Sequence, residues 1–446
     1  MKKILSLVLA VCLTAAAALT AFAAGTDDWR AKWDDAVSDS AVIALSPGET
    51  EAEMRFAWLS DVTARNAFAL SPSPEMRDAV SLPVDVRLTV TGQKRCRVTA
   101  DGLLPDTTYY YRYTKNGRWS DVYSFRTQGN TLTALFVSDA QLGRSGDRRS
   151  KEVLLHDVAG WDTTLAQSTA LYPDVSLILS AGDQAEVAYS EQEYRLLLSP
   201  DTLRSVPIAP IIGNHEFYFP YLNLHFNLPH RIGGSIVHSL GDEPYFFLRG
   251  NTLFIQLDSN DSVAWDHEAV LDRAIRAYPE AEWRVVMMHH SLYSCENDEN
   301  DDFLLRRTLT PLLQKYNVNL VLSGHTHRYS RSFPLTDGVK SENGVTYLEG
   351  GCSSACNSKA SPETLPAYSA AGYPKAGNAV YSVLEFMDDA IRIHAYAVED
   401  GESVEIDSGT VKAVPRDDTN AHMPRFLRAL QAVLSLCGRL VSVLFR

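Results

Sequence analysis

The chain has 446 residues, of which 45% are hydrophobic and 22% are charged, and its formal net charge is −14. This is the composition of a globular protein, and the length is enough for two or three domains. The negative surface argues against general nucleic-acid binding, because it repels polyanions, but it does not exclude a small anion at a local cationic site.

Residues 1–23 have the pattern of a cleaved export signal. Lys2 and Lys3 precede a mostly apolar stretch, Ile4–Thr20, and Ala21–Ala23 fits a small-x-small cleavage site. A buried N-terminal helix or a membrane anchor is the alternative. We therefore expect a secreted or cell-surface protein that begins near Ala24.

Five cysteines remain after such a cleavage: Cys96, Cys295, Cys352, Cys356 and Cys437. Because the number is odd, at least one thiol is free or paired between chains. Export permits a disulfide, and Cys352 could pair with Cys356, or one of them with Cys295. A thiolate metal site is the less favoured alternative, since no second cysteine cluster supports it.

Residues 40–127 have the pattern of a small all-β domain. Tyr109, Tyr111 and Tyr113 alternate with Tyr110 and Arg112, which is typical of a strand with one buried face. The predicted strands are Glu53–Trp58, Val84–Val90, Arg95–Thr99, Thr108–Thr114 and Val122–Arg126. Their number and spacing predict a fibronectin III-like or immunoglobulin-like sandwich.

Residues 131–413 alternate apolar runs with helical stretches. The predicted strands are Leu132–Val137, Val175–Ser180, Ile208–Ile212, Leu253–Leu257, Val285–Met288 and Leu320–Leu322. The predicted helices are Val153–Leu171, Tyr194–Leu198, Trp265–Ala277 and Phe303–Tyr316. This order predicts an α/β domain whose sheet is covered on both faces. Residues 424–446 favour an amphipathic helix that packs on the domain or lies on a membrane surface.

Polar side chains follow five of the predicted strands directly. They are Asp139, Asp183, Asn214-His215-Glu216, His289-His290 and His325-Thr326-His327. The carboxyl ends of the strands form the edge where open α/β sheets bind ligands. Carboxylate, amide oxygen and imidazole suit Mn, Fe, Zn or Mg, and Asp183 can bridge two ions. Gly182 and Gly213 would let the backbone approach the ions closely.

This series of residues resembles the calcineurin-like metallophosphoesterase superfamily. In the β domain, Leu104–Arg112 and Trp119–Phe125 resemble the N-terminal domain of purple acid phosphatases. The resemblance covers roughly residues 40 to 400. It implies a four-layer αββα metallophosphoesterase sandwich preceded by the small β sandwich.

The resemblance also implies a centre of two divalent or trivalent metal ions. The implied ligands are Asp139, Asp183 and His327 for the first ion, and Asp183, Asn214, His289 and His325 for the second. A metal-bridging hydroxide would attack phosphorus, while His215 stabilises the phosphate charge or protonates the leaving oxygen.

Two positions depart from the family pattern. Gln141 stands where the superfamily usually has His and purple acid phosphatases usually have Gly, and it either supplies an amide oxygen ligand or none. Glu186 stands where the purple enzymes have Tyr, so the protein should not be purple. Glu186 is either a carboxylate ligand or a hydrogen-bond partner of its neighbours.

Three further residues are assigned to the site with less support from pattern. His290 either contacts the phosphate or packs inward, and we favour the site. His225 and Arg328 are predicted to line the substrate cleft. The acidic run 296–302 either borders the cleft or forms a solvated loop, which is the favoured interpretation.

Together these features predict a secreted phosphomonoesterase that acts on a small phosphate ester. A phosphodiesterase or nucleotidase on the same metals is the first alternative. The second is a degenerate cell-surface binding protein whose β domain contacts cell wall or glycan. Gln141 and Glu186, which depart from the family pattern, are the features that support this alternative. A surface protein tethered by its tail is a third alternative.

Overall fold

The computed structural model describes residues 25–146, 150–217, 221–232, 243–296 and 303–413. The predicted export signal, 1–23, and the predicted C-terminal helix, 424–446, lie outside the described residues. Within those ranges, no helix combines the length and the hydropathy that a bilayer crossing requires.

Residues 25–38 form helix α1, which the sequence analysis did not predict. Its two tryptophans, Trp29 and Trp33, bury their rings in the core of the α/β domain. The indole Nε1 of Trp29 donates a hydrogen bond to Asp162 at 3.0 Å. This helix therefore belongs to the second domain in space, although it precedes the β domain in the chain.

The first domain is a sandwich of two antiparallel sheets, as predicted. Its strands are β1 (Ala44–Pro47), β2 (Met54–Ser60), β3 (Phe68–Ser71), β4 (Val80–Leu82), β5 (Asp85–Leu88), β6 (Lys94–Ala100), β7 (Thr108–Lys115), β8 (Arg118–Trp119) and β9 (Tyr123–Arg126). One sheet has the order β1-β2-β6-β5, and the other has the order β4-β3-β7-β8, with β9 also paired to β7. Its likeness to fibronectin III or immunoglobulin modules stays a prediction.

Aromatic packing explains why this small domain is stable. Tyr111 and Tyr113 are buried, in agreement with the alternation along β7. The ring of Phe56 on β2 lies 4.6 Å from that of Phe68 and 5.0 Å from that of Tyr111. Such offset and tilted pairs join the two sheets through apolar contact over large areas.

The second domain contains two larger sheets and the remaining helices. Its strands are β10 (Leu132–Val137), β11 (Val175–Ser180), β12 (Ile208–Pro210), β13 (Phe246–Arg249), β14 (Thr252–Gln256), β15 (Trp283–Met287), β16 (Leu320–Ser323), β17 (Tyr329–Ser332), β18 (Leu335–Thr336), β19 (Val339–Lys340), β20 (Thr346–Gly350), β21 (Ser369–Gly372), β22 (Val380–Phe386), β23 (Ala390–Glu399) and β24 (Glu402–Lys412). Its helices are α2 (Lys151–Leu171), α3 (Glu191–Leu198), α4 (Tyr221–His225), α5 (Ala264–Ala277) and α6 (Phe303–Lys315). The predicted strands and helices of this domain are all present, two strands with the predicted bounds and the other elements with shifts of at most three residues at an end.

The two sheets pack face to face between layers of helix, which confirms the αββα architecture. One sheet has the order β12-β11-β10-β22-β23-β24, and the other has the order β13-β14-β15-β16-β20-β17-β21. Along β15, Trp283 and Val285 join the core between the sheets, whereas Val286 joins the core with α5 and α6. Burial on both faces is the reason that the strand is apolar without alternation.

The parallel pairing fixes where the strands end. Strand β10 pairs parallel to β11, and β11 pairs parallel to β12. In the other sheet, β15 pairs parallel to β16. The carboxyl ends of neighbouring parallel strands lie at one edge of a sheet, and the loops that leave this edge meet above the groove between the sheets.

Buried hydrogen bonds connect the two domains. The hydroxyl of Tyr111 donates to the carbonyl of Arg204 at 2.9 Å, and the guanidinium of Arg204 donates to the carbonyl of Ile43 at 2.6 Å. These bonds satisfy groups that burial would otherwise leave without partners. The β domain therefore supports the α/β domain below the sheet edge that carries the polar residues.

Candidate metal centre

The predicted ligands lie where the chain turns sharply at the strand ends. Four of them have a positive backbone φ: Asp139 (48°), Asp183 (49°), His325 (80°) and His327 (61°). This left-handed conformation costs about 1–3 kcal/mol for a residue with a side chain, and it persists at sites where the surroundings enforce it. The concentration of such residues at one sheet edge marks this edge as the candidate site.

Three buried residues form the centre of the group. The ligand atoms of Asp139, Asp183 and His289 all lie within 4.8 Å of one another. Nε2 of His289 is 3.2 Å from Oδ2 of Asp183. Nε2 of His327 is 3.6 Å from Oδ1 of Asp139. These four side chains follow four different strands, β10, β11, β15 and β16, as the sequence predicts.

Asn214 and His325 complete the arrangement on the other side of Asp183. Oδ1 of Asn214 lies 3.0 Å from Nε2 of His289 and 3.0 Å from Nδ1 of His325. The opposite nitrogen of His289, Nδ1, donates to the carbonyl of Ala181 at 2.8 Å. That bond orients the imidazole and leaves Nε2 directed at the carboxylate and the amide oxygen.

The charges of this buried group favour a cation. Burial opposes the imidazolium of His289, but Asp183 and Asp139 outweigh it and raise its pKa to about 10. Burial raises the pKa of Asp139 to about 8, with a further contribution from Asp183. Without a metal ion, these shifts favour a proton on His289 and on Asp139, which lessens the negative charge of the buried group. A metal ion can take the place of these protons, because binding of a metal to such ligands releases protons.

Three glycines leave the room that the centre requires. A Cβ atom at Gly213 would overlap Oδ1 of Asp183, and one at Gly324 would overlap Oδ2 of Asp139. At Gly182, it would lie 2.6 Å from Nδ1 of His289. Any other residue at these positions would displace a candidate ligand. Together with the chemistry of the donors, this space fits a centre of hard to borderline metal ions.

Glu216 stands in the same motif as Asn214, and the sequence pattern indicates no role for it. Its buried carboxylate accepts four backbone N–H bonds, from Gly213 at 2.8 Å, Asp183 at 3.0 Å, Gln184 at 2.7 Å and Ala185 at 3.3 Å. The loops after β11 and β12 are thereby joined through one side chain. Glu216 is a positioning residue, because it fixes the backbone on which Asp183 and Asn214 stand.

The two positions that depart from the family pattern contact each other. Nε2 of Gln141 donates to the carboxylate of Glu186 at 3.0 Å, and Glu186 also lies 3.4 Å from Arg144. Oε1 of Gln141 is buried and has no hydrogen-bond partner among the described residues. Glu186 thus bonds to its neighbours, while the free oxygen of Gln141 remains available to a metal or a ligand.

His215 stands at the entrance to the group. Its Nδ1 lies 2.8 Å from the carbonyl of Glu186, and because a carbonyl only accepts, Nδ1 carries the proton. Nε2 lies 2.9 Å from Nε2 of Gln141 and 3.9 Å from Oδ2 of Asp183. The bond to the carbonyl therefore holds Nε2 toward the candidate ligands.

His290 lies behind His325, and it is absent from the residues that line the cavity described below. The two rings are 4.4 Å apart, and the hydroxyl of Ser259 bonds to Nδ1 of His290 at 2.9 Å. The same Ser259 oxygen accepts the backbone N–H groups of His289 and His290. Burial, together with His289 and His325, lowers the pKa of His290 well below its ordinary value. His290 is thus half-buried against His325 and Ser259, and its assignment to the site stays a prediction.

A cavity of about 300 Å³ opens above the centre. Its described lining residues are Gln141, Arg144, Asp183, Asn214, His215, Ser291, Ser294, Glu296, Arg306, His325, Thr326, His327, Asn357 and Lys359. Three of them, Arg144, Arg306 and Lys359, are cations that the sequence analysis missed. Arg306 and Lys359 have no carboxylate partner within the part of the chain that the structure describes.

The two residues predicted to line the cleft lie elsewhere. His225 is buried, its ring stacks on Tyr194 at 4.6 Å, and Nε2 lies 3.3 Å from Glu191. Arg328 is not among the described residues that line the cavity, and its guanidinium pairs with Glu296 at 2.8 Å. Glu296 itself lines the cavity, and residues 297–302 of the acidic run lie outside the described residues.

Comparison with known proteins agrees with this arrangement. The family model described as calcineurin-like phosphoesterase matches residues 132–329. The model described as the purple acid phosphatase N-terminal domain matches residues 41–127. The two matches fall on the α/β domain and on the β sandwich.

Similarity to curated proteins is distant. An uncharacterized protein of Mycobacterium tuberculosis is 26% identical over 269 residues, which are 52% of this chain and 50% of that protein. Purple acid phosphatase 1 of Ipomoea batatas is 26% identical over 230 residues, 46% of this chain and 45% of the relative. The chain thus spans about half the length of these curated relatives.

Among solved structures, the chain is similar to purple acid phosphatase PPD1 from yellow lupin (Lupinus luteus) seeds. The TM-score is 0.65 at 17% sequence identity, and the match covers 85% of this chain and 75% of the lupin chain. At this identity, the likeness concerns the fold. The resemblance inferred from the residues at the strand ends is confirmed. The chain therefore combines a calcineurin-like metallophosphoesterase domain with an N-terminal domain of the purple acid phosphatase type.

Proposed function

We propose that the protein is a metal-dependent phosphomonoesterase with a centre of two metal ions. The observation that carries this proposal is the buried group of Asp139, Asp183 and His289 below a cavity lined by cations. Acidic and imidazole donors suit the ions, and the cations suit the phosphate. The names of the purple acid phosphatase relatives support the same reaction.

In this proposal, Asp183 is shared between the ions. Asp139 and His327 would hold one ion with it, and Asn214, His289 and His325 would hold the other. Bound ions would activate water for attack on phosphorus and stabilise the charge that develops on the phosphoryl oxygens. The carboxylate, amide and imidazole donors suit Fe, Mn, Zn or Mg.

His215 is proposed to act on the ester itself. Because Nδ1 is held by the carbonyl of Glu186, Nε2 is the nitrogen that faces the centre and the cavity. In the structure Nε2 accepts a bond from the amide of Gln141, so His215 would donate from Nε2 only as the imidazolium. In that form the Nε2 proton can pass to the leaving oxygen or form a hydrogen bond to the phosphate. Both actions lower the energy of the transition state.

Replacing His215 by Ala is expected to lower kcat/KM about a hundredfold, because general acid catalysis and one charge-assisted bond are lost. Steady-state kinetics with a chromogenic monoester measure the effect. His394→Ala is the matched control, since His394 bonds to Glu405 on the antiparallel strands of its sheet. Equal rates for His215→Ala and the control would remove His215 from the mechanism.

The cavity cations are proposed to bind the phosphate oxygens. Arg306→Gln is expected to raise KM about tenfold with little change in kcat, as one charge-assisted contact is lost. Arg307→Gln is a matched control on the same helix, because Arg307 is exposed and absent from the described cavity lining. A KM that is the same in both variants would show that Arg306 does not bind substrate.

The reaction class is tested with the purified chain. Hydrolysis of a chromogenic monoester and a matching diester is measured with Mn, Fe, Zn or Mg and with chelator. We expect metal-dependent turnover with the monoester as the better substrate. Preference for the diester would replace the phosphatase by a phosphodiesterase, and no turnover of either ester would favour the degenerate binding protein.

We also propose that the chain is exported, on the basis of the charged start, the apolar stretch and the small residues at Ala21 and Ala23. The N-terminus of the protein recovered from the medium of an expressing cell tests this. A mature start near Ala24 is expected, and an intact Met1 on cell-retained protein would contradict export.

A further inference from the structure

The loop after β20 carries two cysteines at the floor of the metal centre. Cys352 and Cys356 are fully buried, and their Sγ atoms lie 2.9 Å apart. Between them, Ala355 has a φ of 64°, in the left-handed region that residues with a side chain rarely adopt. This turn brings Cys356 back against Cys352, so the loop is built around the contact of the two sulfur atoms.

Both sulfur atoms contact the backbone of a candidate ligand. The thiol of Cys352 lies 3.1 Å from the carbonyl oxygen of Asp139, and that of Cys356 lies 3.5 Å from the same oxygen. The carbonyl of Cys356 accepts a bond from Nδ1 of His327 at 3.3 Å. The loop therefore supports the two residues that, beside the shared Asp183, would hold the first ion.

Side chains between the cysteines attach the loop to the end of β10 as well. The hydroxyl of Ser354 donates to the carbonyl of Ala140 at 2.6 Å, and that of Ser353 donates to the carbonyl of Ser138 at 2.8 Å. These bonds hold the backbone on both sides of Asp139. A change in the loop is thus transmitted directly to the position of its carboxylate.

A metal bound by thiolates is the alternative use of these residues, since donor atoms of His327, Cys352 and Cys356 lie within 4.8 Å of one another. The described group offers three donors, whereas a structural zinc site has four. Carbonyl oxygens of Asp139 and Ala140 face the sulfur atoms at 3.1 to 3.6 Å. They would repel a negative thiolate, but they accept a thiol proton and tolerate a neutral disulfide.

We propose that Cys352 and Cys356 form a disulfide that fixes the floor of the metal centre. A disulfide bond is about 2.05 Å long, so the sulfur atoms need to approach by about 0.9 Å. An external disulfide is the oxidant: the two thiols form one S–S bond, and the oxidant takes up their two protons and two electrons and leaves as two thiols. Formation of this bond does not depend on the proposed hydrolase activity.

The bond would restrict the loop that orients His327 and the backbone of Asp139. Groups that support metal ligands from behind typically change metal affinity 10- to 100-fold when they are altered. We therefore expect reduction of the disulfide to weaken retention of one ion about tenfold. The ion held by Asn214, His289 and His325 should be affected less, because no hydrogen bond or ion pair among the described residues joins these three to the loop.

Peptide mapping tests the bond on the full chain, purified without reductant, equilibrated with oxidised glutathione and alkylated after unfolding. Trypsin releases both cysteines on one peptide, Ser341–Lys359. We expect this peptide two hydrogens lighter and unalkylated, with Cys96 and Cys295 alkylated. Recovery of Cys352 and Cys356 as alkylated thiols, or linked to Cys295 or Cys437, overturns the proposal.

Metal retention tests the consequence of the bond. Ions per chain are measured in a chelator series for the oxidised chain, the chain after mild reduction, and the double variant Cys352→Ser with Cys356→Ser. Cys295→Ser is the control, because this buried thiol bonds to Ser361 instead. We expect the reduced chain and the double variant to lose one ion at a chelator concentration about tenfold lower than the oxidised chain does. If the reduced chain retained its ions as the oxidised chain does, the bond would not support the centre.

Discussion

Asp183→Asn should reduce turnover at least about a thousandfold, which corresponds to about 4 kcal/mol of transition-state stabilisation. In the structure, one carboxylate oxygen faces His289 at 3.2 Å and the other accepts the backbone N–H of His215 at 3.0 Å. The amide of Asn keeps the shape but lacks the charge that a shared ligand of two cations needs. Initial rates and ions per chain, measured on the same preparation, test this.

The matched control is Asp162→Asn. Asp162 is a partly buried carboxylate on α2 that accepts a bond from Trp29, and it takes no part in the proposed centre. We expect this variant to keep its ions and its rate within about twofold, in line with substitutions outside an active site. If Asp183→Asn behaved like the control, the proposed centre would be in the wrong place.

Glu216→Ala is expected to lower the free energy of unfolding by about 4 kcal/mol, because it leaves buried backbone N–H groups without acceptors. The carboxylate accepts N–H groups from both loops that carry Asp183 and Asn214. Losing it should also loosen these loops and lower the metal content. Urea unfolding gives the stability, and elemental analysis gives the ions per chain.

Glu268→Ala separates the effect on stability from the effect on metal content. Glu268 is another buried carboxylate, and it bonds to Lys315 and Tyr316 beneath the outer helices. Its loss should destabilise the fold to a similar extent and leave the metal content unchanged. Full metal content in folded Glu216→Ala would mean that Glu216 contributes to stability alone and does not position the ligands.

Much of the fold was predictable because a doubly covered sheet has long apolar strands. Leu132–Val137 and Val175–Ser180 were predicted with the bounds that the structure has. The antiparallel strands β23 and β24 were missed, since Ala390–Glu399 mixes charged and apolar residues and β24 is largely polar. Strand β22 was also missed, although it is largely apolar. Helix α1 was missed because it follows the predicted signal and its buried surface rests mainly on Trp29 and Trp33.

The candidate ligands were predictable for a related reason. Each of them follows an apolar strand directly, so their positions at one edge follow from the parallel pairing. No local pattern indicates the roles of three further residues. Glu216 and Ser259 act through hydrogen bonds to backbone N–H groups. Lys359 reaches the cavity from a loop that is distant in sequence from the other lining residues. His225 is the last residue of helix α4, and its stacking on Tyr194 arises only in the packed structure.

The bond between Gln141 and Glu186 is another contact that no local sequence pattern indicates. The two residues are 45 positions apart, and the sequence analysis considered each of them only as a departure from a family pattern. In three dimensions they form one unit with His215 at the cavity wall. Their contact gives the carboxylate of Glu186 a hydrogen-bond partner, which is one of the two roles considered for it.

The most direct test of the central claim is a metal titration of the metal-free chain, with monoester hydrolysis followed at each step. We expect the rate to rise until two ions per chain are bound and then to remain constant, and chelator to reverse the gain. A rate that is independent of added metal, or that reaches its plateau at a single ion, would contradict the two-ion centre.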